Sequence, residues 1–290
     1  WLNGECPKQR KDAFALLRSI AHVIPDKVTE LLDPYVNQGD KWFADILDVI
    51  GWDVAKDSDK LFKIRIKLLT YNYFPPFLDW PEIAESNPLR AIDLVVVLLN
   101  MLPEKIDMYN RFDHFQRCHG HEIKALLQTA EYRPIDTWKK LMPVVMQMTS
   151  NCPESKFDSS IEQWKFERDS HKTLERCSVE MLIQAGRSIA EHDPVLFIDL
   201  TRDCETNLSP VVQEILIESY SAIEHTFADN AIEWLLADLN RFQLGNGETK
   251  VVWAPAMRLL ESLSAYCSPL IFNKLEDAII NYHDPDVLDH

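Results

Sequence analysis

FADNAIEWLLADLNRFQLGNGETKVVWAPAMRLLESLSAYCSPLIFNKLEDAIINY, residues 227–282, is the stretch whose reading decides the fold. Its apolar residues recur at helical spacing. Ile232, Leu235, Leu236 and Leu239 stand at i, i+3, i+4 and i+7; Ala256, Leu259, Leu260, Leu263 and Cys267 form a second stripe, and Ile271, Leu275, Ala278, Ile279 and Tyr282 a third. The punctuation agrees with the period. Asp229 or Asn230 is placed to cap the first helix, Pro255 suits the first turn of the second, and Ser268-Pro269 reads as an N-cap followed by proline at N1. Gly245-Asn246-Gly247 breaks the pattern in a loop too polar to pack. Helices that each carry one apolar stripe, joined by short turns, bury those stripes against their neighbours in series, which makes an array or solenoid.

The same pattern extends towards the N-terminus. Helices are predicted over residues 7–23 (Phe14, Leu17, Ile20), through Val28, Leu32 and Tyr35, through Trp42, Phe43, Ile46 and Ile50, and from residue 57 to about 73 (Leu61, Ile64, Leu68). Lys60, Lys63 and Lys67 line the outer side of the last of these, as a solvated face would. Pro75, Pro76, Pro81 and Pro88 forbid a continuous helix over residues 74–88. Asn87 then caps a helix that is apolar nearly all round from Leu94 to Leu99, as a buried central helix is. Residues 135–148 form a helix containing Pro143, residues 161–191 a long helical stretch, and 194–201 and 210–223 two more. Residues 151–160, with Cys152-Pro153 followed by Ser and Asp, are the best boundary. The expected organisation is a helical array over 1–150 and a second over 151–290, in one continuous solenoid. Trp42 and Trp234 sit in similar contexts and His-Asp-Pro occurs at 192–194 and 283–285. No fixed period follows, so the expectation is an all-α, irregular HEAT- or TPR-like α-solenoid of antiparallel helix pairs.

Composition narrows the function classes. Only 7 glycines in 290 residues argue against parallel α/β enzymes, which spend glycine on phosphate loops and strand–helix turns. A net charge of -16 opposes binding to nucleic acid or to anionic membranes and favours basic partners. The longest apolar run is far short of a membrane span. Six widely spaced cysteines without a C-x-x-C pair, and no secretory leader, point to a reducing cytoplasm. The chain opens on Trp1 instead of Met and is expected to be a piece of a longer polypeptide.

Chemistry is scarce. His114, Cys118, His119 and His121 are suitable zinc ligands by type, and His114 and Cys118 share a helix face, but no second ligand pair follows at finger-like spacing. A polar loop is the plainer reading of the cluster; a metal-dependent hydrolase is the catalytic one. H-E-x-x-H, G-x-S-x-G and G-x-x-x-x-G-K-[ST] are all absent, and no cofactor and no catalytic residue are assigned. Glu191-His192-Asp193 reads as a helix end followed by a new N-cap. Phe74, Phe77 and Trp80 are either rings plugging the core between helical layers or, with their prolines, rigid anchors for a partner. Arg241, Phe242 and Asn246 form a second candidate contact of that kind.

The pattern E-W-L-L-x-D-x-x-R-F-x-L-G-N-G over residues 233–247, Trp253, and S-x-Y-C-S-P-x-x-F-x-x-L-E-x-x-I over residues 264–279 resembles the helical C-terminal region of bacterial antiviral STAND NTPases, the Avs group. The likeness covers about residues 227–285; before them only the general helical character is shared. In that family an effector and a nucleotide-binding module precede a helical-repeat sensor, which recognises a phage structural protein and triggers oligomerisation. The resemblance therefore implies a non-catalytic recognition segment with a protein ligand, in a parent chain that self-assembles. The family's nucleotide-binding motifs are absent here, so no ATPase residue is carried over. An architectural spacer within a multidomain chain is the alternative.

Overall fold

Proline and capping side chains open most of the helices. In the computed structural model, which describes residues 7–21, 23–36, 38, 42–50, 54–71, 78–101, 117–150, 171–244 and 253–282, Ser58, Asp79, Thr173 and Asp193 each accept the N–H three residues on, at 3.0–3.3 Å. Pro81, Pro134, Pro194, Pro210, Pro255 and Pro269 stand in first turns, where the missing N–H leaves no helical bond unmade. Among the described residues the fold is all-α apart from two three-residue strands, Arg117–His119 and His171–Thr173. The helices fall into two packed units, residues 1–125 and 126–290.

The first unit holds α1 (Pro7–Ile20), α2 (Pro25–Val36), α3 (Phe43–Ile50), α4 (Asp59–Thr70), α5 (Trp80–Ser86) and α6 (Pro88–Met101). Its core joins Phe14 and Leu17 of α1, Val28 and Leu32 of α2, Phe43 and Ile46 of α3, and Ile64 and Leu68 of α4. The packing is serial: α1 on α3, α2 on α4, α4 on α6. Alternate helices meet in these pairs, as in a solenoid-like array, while α5 lies against α6. The fully covered stretch of α6 (Ala91, Ile92, Leu94, Val95, Leu98 and Leu99) is the central apolar helix expected from its sequence. Asp57 and Arg65 form a buried two-pronged ion pair, with Nε–Oδ2 2.6 Å and Nη2–Oδ1 2.8 Å, that ties the entry of α4 to its middle. Asp33-Pro34, which looks like a helix boundary in the sequence, lies inside α2.

The second unit begins within α7 (Gly120–Tyr132) and continues through α8 (Pro134–Thr149), α9 (Leu174–His192), α10 (Pro194–Thr201), α11 (Pro210–Tyr220), α12 (Ala228–Leu236), α13 (Ala254–Leu263) and α14 (Pro269–Ile280). The same rule of next-but-one contact holds: α9 on α11, α11 on α13, α12 on α14. Helix α9 is the axis, packed along α8 on one side and α11 on the other. Gly186 lets them approach. A Cβ there would meet Ser219 Oγ inside contact distance and stand 2.7 Å from Trp138 Cζ3 and 2.8 Å from Ser219 Cβ. This packing explains why the division falls inside α7 and not at residue 150: α8 gives its buried face to α9. The 151–160 stretch lies outside the described residues.

Aromatic rings run through this unit as a ladder. Trp138 meets Phe197 edge-on at 6.0 Å, Phe197 meets Tyr220 edge-on at 5.0 Å, and Tyr220 stacks on Trp234 at 4.9 Å. Two details differ from the spacing argument. Leu239 is not on the α12 stripe, because the helix ends at Leu236 and Asp238 accepts the Asn240 N–H to start a short 3-10 turn, Leu239–Gln243. Asp229 does not cap α12; it accepts the Ser268 N–H at 2.8 Å and so fixes the start of α14 against α12.

Candidate functional site

The side chains singled out in the sequence separate into three groups. Phe74, Phe77, His114 and Asn246 lie outside the described residues, and of Cys118 and His119 only the backbone is described, in the strand Arg117–His119. His121 is exposed in the first turn of α7. Among the described residues no group of three or more His, Cys, Asp or Glu side chains is placed to hold a metal ion. Trp80 is 3 % exposed and opens α5 from the core side, so its ring is part of the packing and not a contact offered to a partner.

Arg241 and Phe242 are also turned inward, which corrects their placement on a solvent loop. Arg241 is 7 % exposed. Its guanidinium lies 4.2 Å over the Trp234 ring and donates to Gln213 Oε1 at 2.8 Å, to the Glu205 carbonyl at 2.8 Å and to the Trp234 carbonyl. Gln213 donates in turn to the Asn207 carbonyl, and Tyr220 donates its hydroxyl to Glu205 Oε1 at 2.6 Å. Burial pulls the Arg241 pKa down, opposed by Asp238 and Glu205, and burial with the Glu205 hydrogen bond pushes the Tyr220 phenol up. The physical reason for the inward turn is supply: the last turn of α12 and the loop before α11 offer the carbonyls of Trp234 and Glu205, and one planar cation satisfies both together with the Gln213 amide oxygen. This network braces residues 202–209.

Among the described residues of the second unit, a cleft of about 780 Å³ is open to a ligand. It forms where helix corners meet: the α7–α8 corner supplies Glu131, Tyr132 and Ile135, the α9–α10 corner Glu191, His192 and Leu196, and the residues after α11 close one side. The floor comes from Gln184, Ser188 and Ile189 of α9. His192 Nδ1 stands 2.8 Å from the Ser188 carbonyl and donates to it. Asp193 accepts the Leu196 N–H and caps α10, the helix-end reading made from the sequence. Arg187 donates through Nη2 to Glu218 Oε2 at 2.7 Å and through Nε to the Glu218 carbonyl at 3.0 Å, and it shares that carboxylate with Arg258, which holds the other oxygen. Glu131 and Glu191 have no ion-pair partner among the described residues.

The other accessible feature is apolar. Helix α14 buries only Ile271 and Leu275 and leaves Leu270, Phe272, Ile279 and Ile280 exposed, the first 67 % and the last 72 %. Phe272 and Ile279 are seven residues apart and share a face. Trp253 and Met257, one turn apart on the outer side of α13, are exposed as well, as is Tyr266, which stacks flat on His225 with centroids 3.6 Å apart. Sequence reasoning placed Ile279 on the packed stripe; it missed the cleft, whose only signal was Glu191-His192-Asp193. Among the described residues no helix is long and apolar enough to cross a membrane. Comparison with known family models, with curated proteins and with solved structures finds no match for the chain.

Proposed function

We propose that this chain is a non-catalytic recognition segment that binds a protein ligand, in the manner of the sensor region of an antiviral STAND NTPase of the Avs group, with a phage structural protein as the ligand and self-assembly of the parent chain as the consequence. The single observation that carries the reading is the exposed apolar face of α14 that Phe272 and Ile279 share, with Leu270, Ile280, Trp253 and Met257 exposed elsewhere on α13 and α14. These residues fall in the same stretch that carries the resemblance. Contiguous exposed apolar faces on a packed unit mark protein-contact surfaces. A purely architectural spacer has no need of them. The site brings no nucleophile, no paired acid and base and no phosphate loop together, so binding is the activity this surface offers.

The test is capture from phage-infected cells. The chain, immobilised, is expected to retain one phage structural protein that the purified protein then reproduces in a direct binding assay. Phe272→Asp and Ile279→Asp, both at exposed positions, are expected to abolish retention while leaving the circular dichroism and melting curve unchanged. Retention of nothing specific from infected lysate, or equal retention by both variants, would remove this reading.

A further inference from the structure

We draw no further inference here: the strongest candidate, the cleft between the α7–α8 and α9–α10 corners, sets the exposed carboxylates of Glu131 and Glu191 beside the N-termini of α8 and α10 and an Arg187 that shares Glu218 with Arg258, so its lining selects neither sign of charge and nothing in the structure shows what enters it.

Discussion

At the scale of single residues, two positions control how tightly the second unit packs and how it responds to pH. Gly186 is the point where α8, α9 and α11 come closest. Gly186→Ala would drive a methyl group into Ser219 and the Trp138 ring, neither of which has room to rotate away in a layer packed on both sides. The expected loss is roughly 1–3 kcal/mol, the usual cost of overpacking, read as a lower denaturant midpoint. Cys204 carries the pH signature. Burial, with Asp203 and Glu205 beside it, pushes its thiol from the ordinary 9.0 up to about 11. Above pH 9 the unfolded chain releases a proton that the native chain retains, so native stability falls as pH rises from about 9 towards 11. Tyr220, raised by its burial and by Glu205, pushes in the same direction at higher pH. Equilibrium unfolding at a series of alkaline pH values is expected to show the decline, and Cys204→Ala to flatten its lower part; a slope unchanged by the substitution would place the effect elsewhere.

At the scale of elements, the helices were legible because period and punctuation coincide. Asp193 was readable as a cap because a short carboxylate ahead of proline has few other uses, and α10 and α11 begin where Pro194 and Pro210 place them. Ala256, Leu259, Leu260 and Leu263 are buried on α13 in the expected order. Leu260→Ala is expected to cost roughly 2–5 kcal/mol as a core truncation. Leu270→Ala on the exposed side of α14 should leave thermal stability within experimental scatter, so the reverse order in a melting comparison would contradict these helix faces. What the pattern could not show is where one helix uses the loose ends of another. Arg241 looks like a solvent residue because its acceptors, the carbonyls of Glu205 and Trp234, are distant in sequence and carry no side-chain signature. The cleft escaped notice for the same reason: it is made from the ends of helices, and spacing arguments describe their sides. Leu239 was misplaced because a 3-10 turn starting at Asp238 takes over before the next α-helical position arrives.

At the scale of the molecule, the division at residue 125 makes a prediction that composition alone would have reversed. A fragment of residues 126–290 retains α8 against α9 and is expected to unfold in one cooperative transition. A fragment of residues 151–290, cut at the Pro- and Ser-containing stretch, lacks Trp138 and exposes the faces of α9 and Phe197 that it covers. That shorter fragment should be less stable by several kcal/mol, or collapse without fixed packing, by the logic of a large cavity opened along a whole helix. Denaturant titration of the two fragments side by side distinguishes these outcomes. The ring ladder from Trp138 to Trp234 has an optical consequence. With Tyr220 only 4.9 Å from the Trp234 ring, excitation absorbed by the phenol passes to the indole before it can be emitted, and the Arg241 cation over that indole tunes the colour of what emerges. The second unit thus contains a built-in donor and acceptor, and in a chain whose other tyrosines are replaced by phenylalanine the return of Tyr220 emission would time the moment at which α11 and α12 part.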